Sequence, residues 1–451
     1  MDRRTFLSGA FGVAALAPAT SGGGDLDLPI LRGTLNADDY GLASGGDDVS
    51  RDLQRILNDA SAEDKPVFMP PGRYVVSNLV LPPRTRITGI SGATFLVFGG
   101  DGHMIVGERA EVVELQGLVI DGANRPLADY VPGLVHIAQS RGVAIENCTI
   151  LGSQKSGLAL DRSAGRIHRT TVSGAVAAGI RAIESTGLSI ADNVVADCGN
   201  GGILVHRWQD GEDGTIVTGN RVERIKALDG GTGENGNGIN IFRAHGVIVA
   251  NNRIADCAFT AVRANSANNV QITGNNCRTS GEVGIYSEFS FAGALIANNI
   301  VDGAASGIAV ANFQEGGHLA LINGNIIRNL TGTGPYTADA PGFGVGIAVE
   351  ADAAATGNLI DGAPLYGLQL GWGPYLRDVA ATGNVIRRAP IGIAVSVVDG
   401  TGSAVIAANL ISGAEQGAIL GMRWSDKVSG DLAHSGAEEF PNLMIERNRV
   451  S

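Results

Sequence analysis

Apolar residues along most of the chain occupy every second position in short runs, a period typical of strands rather than helices. The runs are of two alternating kinds. The first follows V-x-I-x-x-N-x-I, as in "VIVANNRI", and the second follows G-I-x-V, as in "GIAV" at 307, 346 and 392. Both are short and bounded by Gly, Asn or Asp. The pattern therefore predicts two strand-like pieces in every repeat, each with one face directed inward.

One Asn recurs in the first kind of run. The aligned copies are Asn193, Asn220, Asn252, Asn275, Asn299, Asn325, Asn358, Asn384, Asn409 and Asn448. In two earlier copies, Cys148 and Thr170 take this position. No helical pattern separates the runs, so the predicted fold class is all-β, a single-stranded parallel β-helix of about 12 coils. Each Asn is predicted to bond its copies about 4.8 Å above and below, and the bent backbone beside it.

Both ends of such a coil need covering, because open strand edges invite further pairing. A capping helix is predicted from one apolar face, with Asp47, Asp48 or Ser50 as its cap, and that face comprises Val49, Leu53, Ile56, Leu57 and Ala60. Residues 422–441 interrupt the repeat and are interpreted as a capping insertion that covers the last coil or mediates self-association. We therefore expect an N-terminal cap and first coils over 20–110, and repeats over 111–451.

The first residues, "MDRRTFLSGAFGVAALAPAT", pair Arg3 and Arg4 ahead of a short apolar run. This order predicts a twin-arginine signal peptide over residues 1–19, and the run is too short to span a bilayer. We expect export through the twin-arginine translocase to the periplasm or beyond, without a stable membrane span. The alternative is an uncleaved N-terminal anchor.

Composition narrows the choice of partner. The net charge of −12 and pI near 5.1 argue against nucleic acid, which needs a basic face. Cys148, Cys198, Cys257 and Cys277 show no metal-ligand spacing, so we predict four reduced, buried thiols, no metal cluster and no cofactor.

Two phrases at the start, "NADDYGLASGGDDVSRDLQRILNDA" and "VFMPPGRYVV", resemble the pectate-lyase-like superfamily of right-handed parallel β-helices. The arginine pair with Asn-phased repeats also resembles a bacterial family of twin-arginine-translocated repeat proteins without an assigned activity. The first resemblance implies a right-handed coil and a polysaccharide-related role. Of the polygalacturonase motifs, only Arg224-Ile225-Lys226 is matched, and it stands out of order.

Candidate site residues come from the second strand of the middle coils. Two residues after its opening Gly, successive coils carry Asn240, Arg263 and Tyr286, whereas most coils carry a small apolar residue such as Ala309, Ala348 or Ala394. Four residues after it, they carry His206, Phe242, Asn265 and Glu288. Because neighbouring coils lie about 4.8 Å apart, these polar side chains should converge on one patch.

Arg263, Tyr286, Glu288 and His206 are the candidate catalytic residues. The candidate substrate-binding residues are Trp208, Asn240, Arg243, Asn265, Phe289 and Trp372. Arginines pair with the carboxylates of an acidic glycan, while Tyr286 or His206 could move a proton. Hydrolysis would need a second carboxylate, and the sequence offers Glu288 only Glu350, about two coils and 10 Å away.

These residues support an exported protein that binds a polysaccharide and acts on it as a lyase or epimerase. The alternative is a non-catalytic envelope protein that binds a glycan or a protein partner. An ordinary surface ion pair between Arg263 and Glu288 would also explain part of the pattern. The oligomeric state is left open.

Overall fold

The computed structural model describes residues 33–451, so the predicted signal peptide at 1–19 lies outside the described part. The described chain winds into a parallel β-helix of about 14 turns. Three sheets run along it, named here C, A and B in the order in which one turn visits them. The predicted fold class is confirmed. The predicted coil number was too low, because the first turns lack the Asn phrase.

Each sheet takes its strands from successive turns. Sheet A contains Leu35–Asn36, Val67–Phe68, Arg84–Thr88, Val112–Gln116, Val143–Glu146, Gly165–His168, Ser189–Ala191, Ile216–Thr218, Ile248–Ala250, Val270–Thr273, Ala292–Ala297, His318–Asn323, Ala353–Thr356, Val379–Thr382, Ala404–Ala407 and Leu443–Glu446. Sheet B contains Gly72–Val76, Thr94–Phe98, Val119–Asp121, Thr149–Leu151, Thr171–Ser173, Val194–Ala196, Arg221–Ile225, Arg253–Cys257, Asn276–Ser280, Ile300–Asp302, Ile326–Arg328, Leu359–Asp361, Val385–Arg387, Leu410–Ser412 and Arg449–Val450.

Sheet C contains Leu79–Leu81, Ile105–Glu108, Gly133–Ala138, Ser156–Asp161, Ala178–Ile183, Gly201–Glu212, Asn237–His245, Val262–Asn265, Val283–Glu288, Ser306–Val310, Val345–Val349, Tyr366–Leu370, Ile391–Ser396, Gly417–Arg423 and Asp426–Asp431. The prediction of two strands per repeat was wrong. The Asn phrase bends at its Asn and supplies one strand to sheet A and one to sheet B, because the residue before the Asn adopts a left-handed backbone. Gly274 (φ 67°) and Asn251 (φ 56°) are examples.

The recurring Asn residues form a continuous hydrogen-bonded ladder between sheets A and B. Nδ2 and the backbone N–H of Asn275 both donate to Oδ1 of Asn299, at 3.0 and 2.9 Å. Nδ2 of Asn299 in turn donates to Oδ1 of Asn325 at 3.0 Å and to the carbonyl of Ile272 at 2.9 Å. The same bonds recur from Asn193 to Asn448. Each buried amide is thereby satisfied, as predicted. Thr170 extends the ladder by one turn, because its backbone N–H donates to Oδ1 of Asn193 at 2.9 Å and its hydroxyl accepts from the backbone N–H of Cys148 at 3.4 Å.

The first turn is covered by helix α1 (Ser50–Ala62), which buries Leu53, Ile56, Leu57 and Ala60 and so confirms the predicted face. Oδ1 of Asp48 accepts from the backbone N–H of Ser50 at 2.8 Å. The Gln54 amide bonds both the N–H (2.9 Å) and the carbonyl (2.8 Å) of Val80. It thus replaces a neighbouring strand at the open edge of sheet C. Short 3-10 helices occur at Ala37–Tyr40, Phe313–Glu315 and Ala437–Glu439.

At the other end, the interruption at 422–441 includes strand Asp426–Asp431, which pairs antiparallel with Gly417–Arg423. This strand covers the last edge of sheet C, while sheets A and B continue for one more turn. Its charged residues keep the new edge from further pairing.

The four cysteines are buried and unpaired. Burial raises the pKa of Cys148 to about 11 and those of Cys198 and Cys277 to about 12, so these thiols stay protonated and unreactive. Within residues 33–451, no helix is long and apolar enough to cross a membrane.

We predict that Asn299→Ala lowers the free energy of unfolding by roughly 2–4 kcal/mol, because it leaves the buried amide donors of Asn275 without their acceptor. Denaturant unfolding followed by circular dichroism measures the change. The control is Asn323→Ala, since Asn323 is exposed on sheet A and should cost no more than about 0.5 kcal/mol. Equal losses in both variants would contradict the proposed importance of the ladder.

Candidate functional site

Sheet C brings the predicted polar rows together on its outer face. Asn240, Arg263 and Tyr286 are register partners on successive strands. The fourth-position row is likewise continuous, and consists of His206, Phe242, Asn265 and Glu288. The side-by-side arrangement that the repeat indicated is therefore present, and the roles of these residues stay predictions.

Arg263 lies at the centre of a closed ion-pair network. Its Nε and Nη2 donate to the two carboxylate oxygens of Glu288 at 2.6 and 3.0 Å, and its Nη1 donates to Glu282 at 3.2 Å. Nδ2 of Asn265 donates to Glu288 at 3.0 Å. The exposed fraction is 9% for Arg263 and 2% for Glu288. The guanidinium therefore faces two carboxylates of the same chain, rather than open solvent.

Glu282 is the carboxylate that the sequence reasoning missed. One oxygen accepts from the Thr260 hydroxyl at 2.7 Å, and the other accepts from the Tyr336 hydroxyl at 2.6 Å. The sequence did contain a signal for Glu282, which stands two residues before Gly284. At the same position the adjacent coils carry the apolar residues Phe259 and Ala305. Glu288 thus has an acidic neighbour directly before its own strand, Val283–Glu288.

Two long loops close over this Arg263 cluster, defined as Arg263, Glu282, Glu288, Thr260, Asn265 and Tyr336. Gly233, in the loop before strand Asn237–His245, lies so close to the Arg263 guanidinium that a β-carbon would overlap it. Tyr336, in the loop before Val345–Val349, stacks on Phe259 with ring centroids 6.2 Å apart. The cluster is therefore covered from two sides.

Burial dominates the electrostatics of the Arg263 cluster. It disfavours the charge on Arg263, but the Glu288 and Glu282 carboxylates outweigh it and raise the pKa of the guanidinium. Burial also raises the pKa of Glu288, and Arg263 offsets part of that rise. The pKa of Tyr286 is raised, first by burial and then by Glu288, and Arg263 lies 5.2 Å above its ring. Tyr286 is accordingly protonated at neutral pH, as a general acid must be.

His206 is a neutral imidazole. Burial, followed by repulsion from Arg181, lowers its pKa to about 4. Its Nε2 is buried without a hydrogen-bond partner among the described residues, and its ring meets Phe242 edge-on at 5.8 Å. Proton transfer by His206 near neutral pH would therefore begin from the unprotonated ring.

An open groove lies beside the covered cluster, where sheet C turns into sheet A. One part, with a volume of about 300 Å³, is lined by Phe242, Arg243, Asn265, Ser266, Phe289, Ser290 and Glu315. An adjoining part of about 340 Å³ shares Arg243, Ser266 and Ser290 and adds Asp210, His245 and Asn268. Three of the predicted binding residues, Arg243, Asn265 and Phe289, thus line one continuous depression, called here the Arg243 groove.

Arg243 is the cation of this groove. Its Nη1 donates to the carbonyl of Trp208 at 2.9 Å, and its guanidinium lies 4.8 Å above the Phe242 ring. Among the described residues it forms no ion pair, so its charge is available to a ligand. Phe289 and Trp208 are 40% and 60% exposed. The cation therefore lies over the Phe242 ring, in a groove that the exposed Phe289 also lines.

The remaining predicted binding residues lie elsewhere. Trp372 packs edge-on against Trp424 of the C-terminal hairpin, with ring centroids 5.4 Å apart. Asn240 is only 5% exposed and donates to the carbonyl of Glu234 at 3.5 Å. The structure thus separates Trp372 and Asn240 from the groove, because a loop or a hairpin covers each of them.

Glu350 directly follows the strand Val345–Val349. It accepts from the backbone N–H of Phe313 at 2.6 Å, and burial raises its pKa to about 7. The neighbouring floor of sheet C consists of small side chains, because Tyr286 is followed in the same row by Ala309 and Ala348. No group of three His, Cys, Asp or Glu side chains in residues 33–451 could hold a metal ion.

Taken with the three-sheet coil, the sequence comparison defines the class of protein. Residues 85–222 and 208–386 match the family described as right handed beta helix region. The chain belongs to this family, and the predicted superfamily is confirmed at the level of the fold. The resemblance to twin-arginine-translocated repeat proteins stays a prediction.

Solved structures with the same fold share little sequence. The pre-mature bacteriophage phi29 gene product 12 is 13% identical with a TM-score of 0.58, and the match covers 88% of this chain and 58% of that one. An N-terminal fragment of the same phage protein is 15% identical with a TM-score of 0.52, covering 86% and 68%. The catalytic unit of the GH87 α-1,3-glucanase from Streptomyces thermodiastaticus strain HF3-3 is 14% identical with a TM-score of 0.48, covering 93% and 69%. The likenesses to the two phage structures show the fold alone. No curated protein sequence matches the chain.

The raised pKa of Glu350 predicts a pH-dependent loss of stability. Below its ordinary value of 4.5 the carboxyl is protonated in both states, and between 4.5 and about 7 only the unfolded chain loses the proton. As the pH rises from 4.5 to about 7, Glu350→Gln should therefore gain up to about 3 kcal/mol of stability relative to the unchanged protein, and the gain should stay constant at higher pH. Denaturant unfolding at several pH values measures this gain.

The control for that measurement is Glu438→Gln, which alters an exposed carboxylate. It should follow the unchanged protein at every pH. A Glu350→Gln variant that also followed the unchanged protein would show that burial does not hold the Glu350 proton.

Proposed function

We propose that the protein binds polysaccharide chains, including acidic ones, in the Arg243 groove. The observation that carries the proposal is the exposed guanidinium of Arg243, which shares its groove with the rings of Phe242 and Phe289 and forms no ion pair among the described residues. Arginine recognises a carboxylate through paired N–H donors, as a uronate ring would offer.

The rest of the groove suits a sugar chain. Phe289 presents an exposed apolar ring, and sugar rings have apolar faces of similar size. Asn268, Ser266 and Ser290 supply short polar groups for hydroxyl edges. Asp210 and Glu315 stand in its two parts, so a uniformly anionic polymer would be attracted at Arg243 and repelled on either side. This favours a glycan in which charged and neutral sugars alternate.

The proposed location follows from residues 1–19, whose arginine pair fits export by the twin-arginine translocase. A periplasmic or secreted protein would meet envelope or extracellular polysaccharides. The net charge of −12 favours these partners over nucleic acid.

We predict that Arg243→Ala weakens binding of an acidic oligosaccharide about 10- to 100-fold, because a charge-assisted pair is lost, and weakens binding of a neutral glucan much less. Titration calorimetry with hyaluronan oligomers, in which uronate and neutral sugar rings alternate, and with a neutral glucan measures both effects. The control is Arg388→Ala, since Arg388 is exposed on a different face and pairs with Asp361. Equal binding by Arg243→Ala and the unchanged protein would place the ligand elsewhere.

A second candidate function is chemical modification of the bound polysaccharide, as in a lyase or epimerase. The observation that favours it is Glu350, whose pKa of about 7 suits general acid or base catalysis and which lies beside the floor of small side chains at Ala309 and Ala348. Tyr286, at the edge of that floor, carries a proton that it could donate. The Arg263 cluster would then hold Tyr286 in place, because its guanidinium lies over the Tyr286 ring.

The test is release of new reducing ends from a polysaccharide panel, read together with ultraviolet absorbance. New ends with absorbance indicate β-elimination, and Glu350→Gln should then reduce turnover at least about 100-fold while leaving binding unchanged. Glu438→Gln serves as the control. If every polysaccharide is bound and none is altered, the protein is a binding module and the second candidate is wrong.

A further inference from the structure

The outer face of sheet A lacks charge over a long stretch of the coil. From strand Ser189–Ala191 through strand Ala404–Ala407, none of the outward residues is Asp, Glu, Lys or Arg. One outward row, continuous in register, includes Ile216, Ile248, Gln271, Leu295, Leu321 and Val405. The row beside it consists of Ala and Thr, with a single Asn.

This lack of charge is local. Earlier in the same row of sheet A stand Arg86, Glu114 and Arg166. Sheet B carries ion pairs over the same coils, for example Arg328 with Asp302 at 2.9 Å. If the absence of charge on sheet A only reflected the composition of these coils, sheet B would lack charged residues there as well. The uncharged stretch, called here the sheet A face, is therefore specific to one side of the coil.

The sheet A face is also flat along one border. The Asn ladder makes the corner towards sheet B with a tight turn, so no long loop rises there. In the middle of the face, Gln271, Leu295, Leu319 and Leu321 line a shallow trough of about 470 Å³. Leu319 and Leu321 are 56% and 42% exposed, which is a large apolar exposure for neighbouring side chains.

We propose that the sheet A face joins two copies of this chain in a two-fold symmetric dimer. Each copy carries a net charge of −12, so two copies repel one another least where charge is absent. The face extends over about nine coils, or roughly 40 Å, and its two rows with their borders approach the 20 to 30 residues per side of a standard interface. A flat surface of Ala, Thr and Leu is complementary to itself, as a two-fold contact requires.

A glycan is the weaker choice of occupant. Within the described residues, the sheet A face has no outward aromatic ring and no charged group, whereas the Arg243 groove has both. Leu295 lies near the middle of the stretch, so a two-fold axis through the face brings Leu295 and Leu321 close to their own copies. A charged side chain introduced at either position would face the same charge on the other copy, and the two charges would repel each other.

The test is the molar mass of the purified protein by sedimentation equilibrium, without any glycan. The unchanged protein should sediment at twice the monomer mass, and Leu295→Lys with Leu321→Lys should raise the dissociation constant at least about 100-fold. A second variant, Thr356→Glu with Ala380→Glu, should raise the dissociation constant by a similar factor, because it places negative charges on another part of the sheet A face. Circular dichroism and thermal unfolding confirm that each variant is folded.

The matched control is Ile326→Lys with Leu359→Lys, which changes similarly exposed apolar residues (39% and 38%) on sheet B. The control should stay dimeric, and so should Arg243→Ala, since glycan binding and dimer formation use different surfaces. A monomer at concentrations up to about 100 μM would overturn the proposal. So would a dimer that survives both sheet A variants, or one that the sheet B control also dissociates.

Discussion

The Asn ladder is the constraint on which the rest of the structure depends. Each ladder Asn from Asn193 to Asn409 is buried, and its Nδ2 donates to the next Asn and to a backbone carbonyl one turn back. A turn of any length must therefore return its Asn to the same corner, because a missing partner would leave buried polar groups unsatisfied. Added residues are confined to the other two corners. The long loops that contain Gly233 and Tyr336 lie at one of these corners, and the Arg243 groove lies at the other.

Stacking also explains how charge is arranged on sheet C. Residues on successive turns are only about 4.8 Å apart, so Arg263 reaches Glu288 without any bend of the chain. A solvent-exposed ion pair contributes little to stability, but two loops cover this one. Removal of either partner would therefore leave an unpaired buried charge, which is strongly destabilising. The covered cluster and the open groove share Asn265, which bonds Glu288 on one side and lines the groove on the other. A ligand in the groove would therefore contact a residue that the ion-pair network holds rigidly.

The coil presents chemically different surfaces in different directions. Sheet C and its corner carry the polar and aromatic groups, sheet B carries ion pairs between turns, and the sheet A face carries neither. Since all three sheets share one period, the outward positions of each sheet can carry a different type of residue while the inward positions still form the same core. The repeat thus permits a binding surface and an association surface on one chain, because outward positions have no part in the ladder.

The sequence by itself determined which residues share a column, because alternation at period two and the recurring Asn specify the register of every turn. The parallel coil, the capping face of helix α1 and the adjacency of Arg263, Tyr286, Asn265 and Glu288 could be predicted on that ground. Only the tertiary structure decided that Tyr336 bonds Glu282, that Arg263 is covered and Arg243 open, and that Trp372 packs against Trp424. These contacts depend on the path of loops outside the repeat, and local periodicity carries no information about a loop's path.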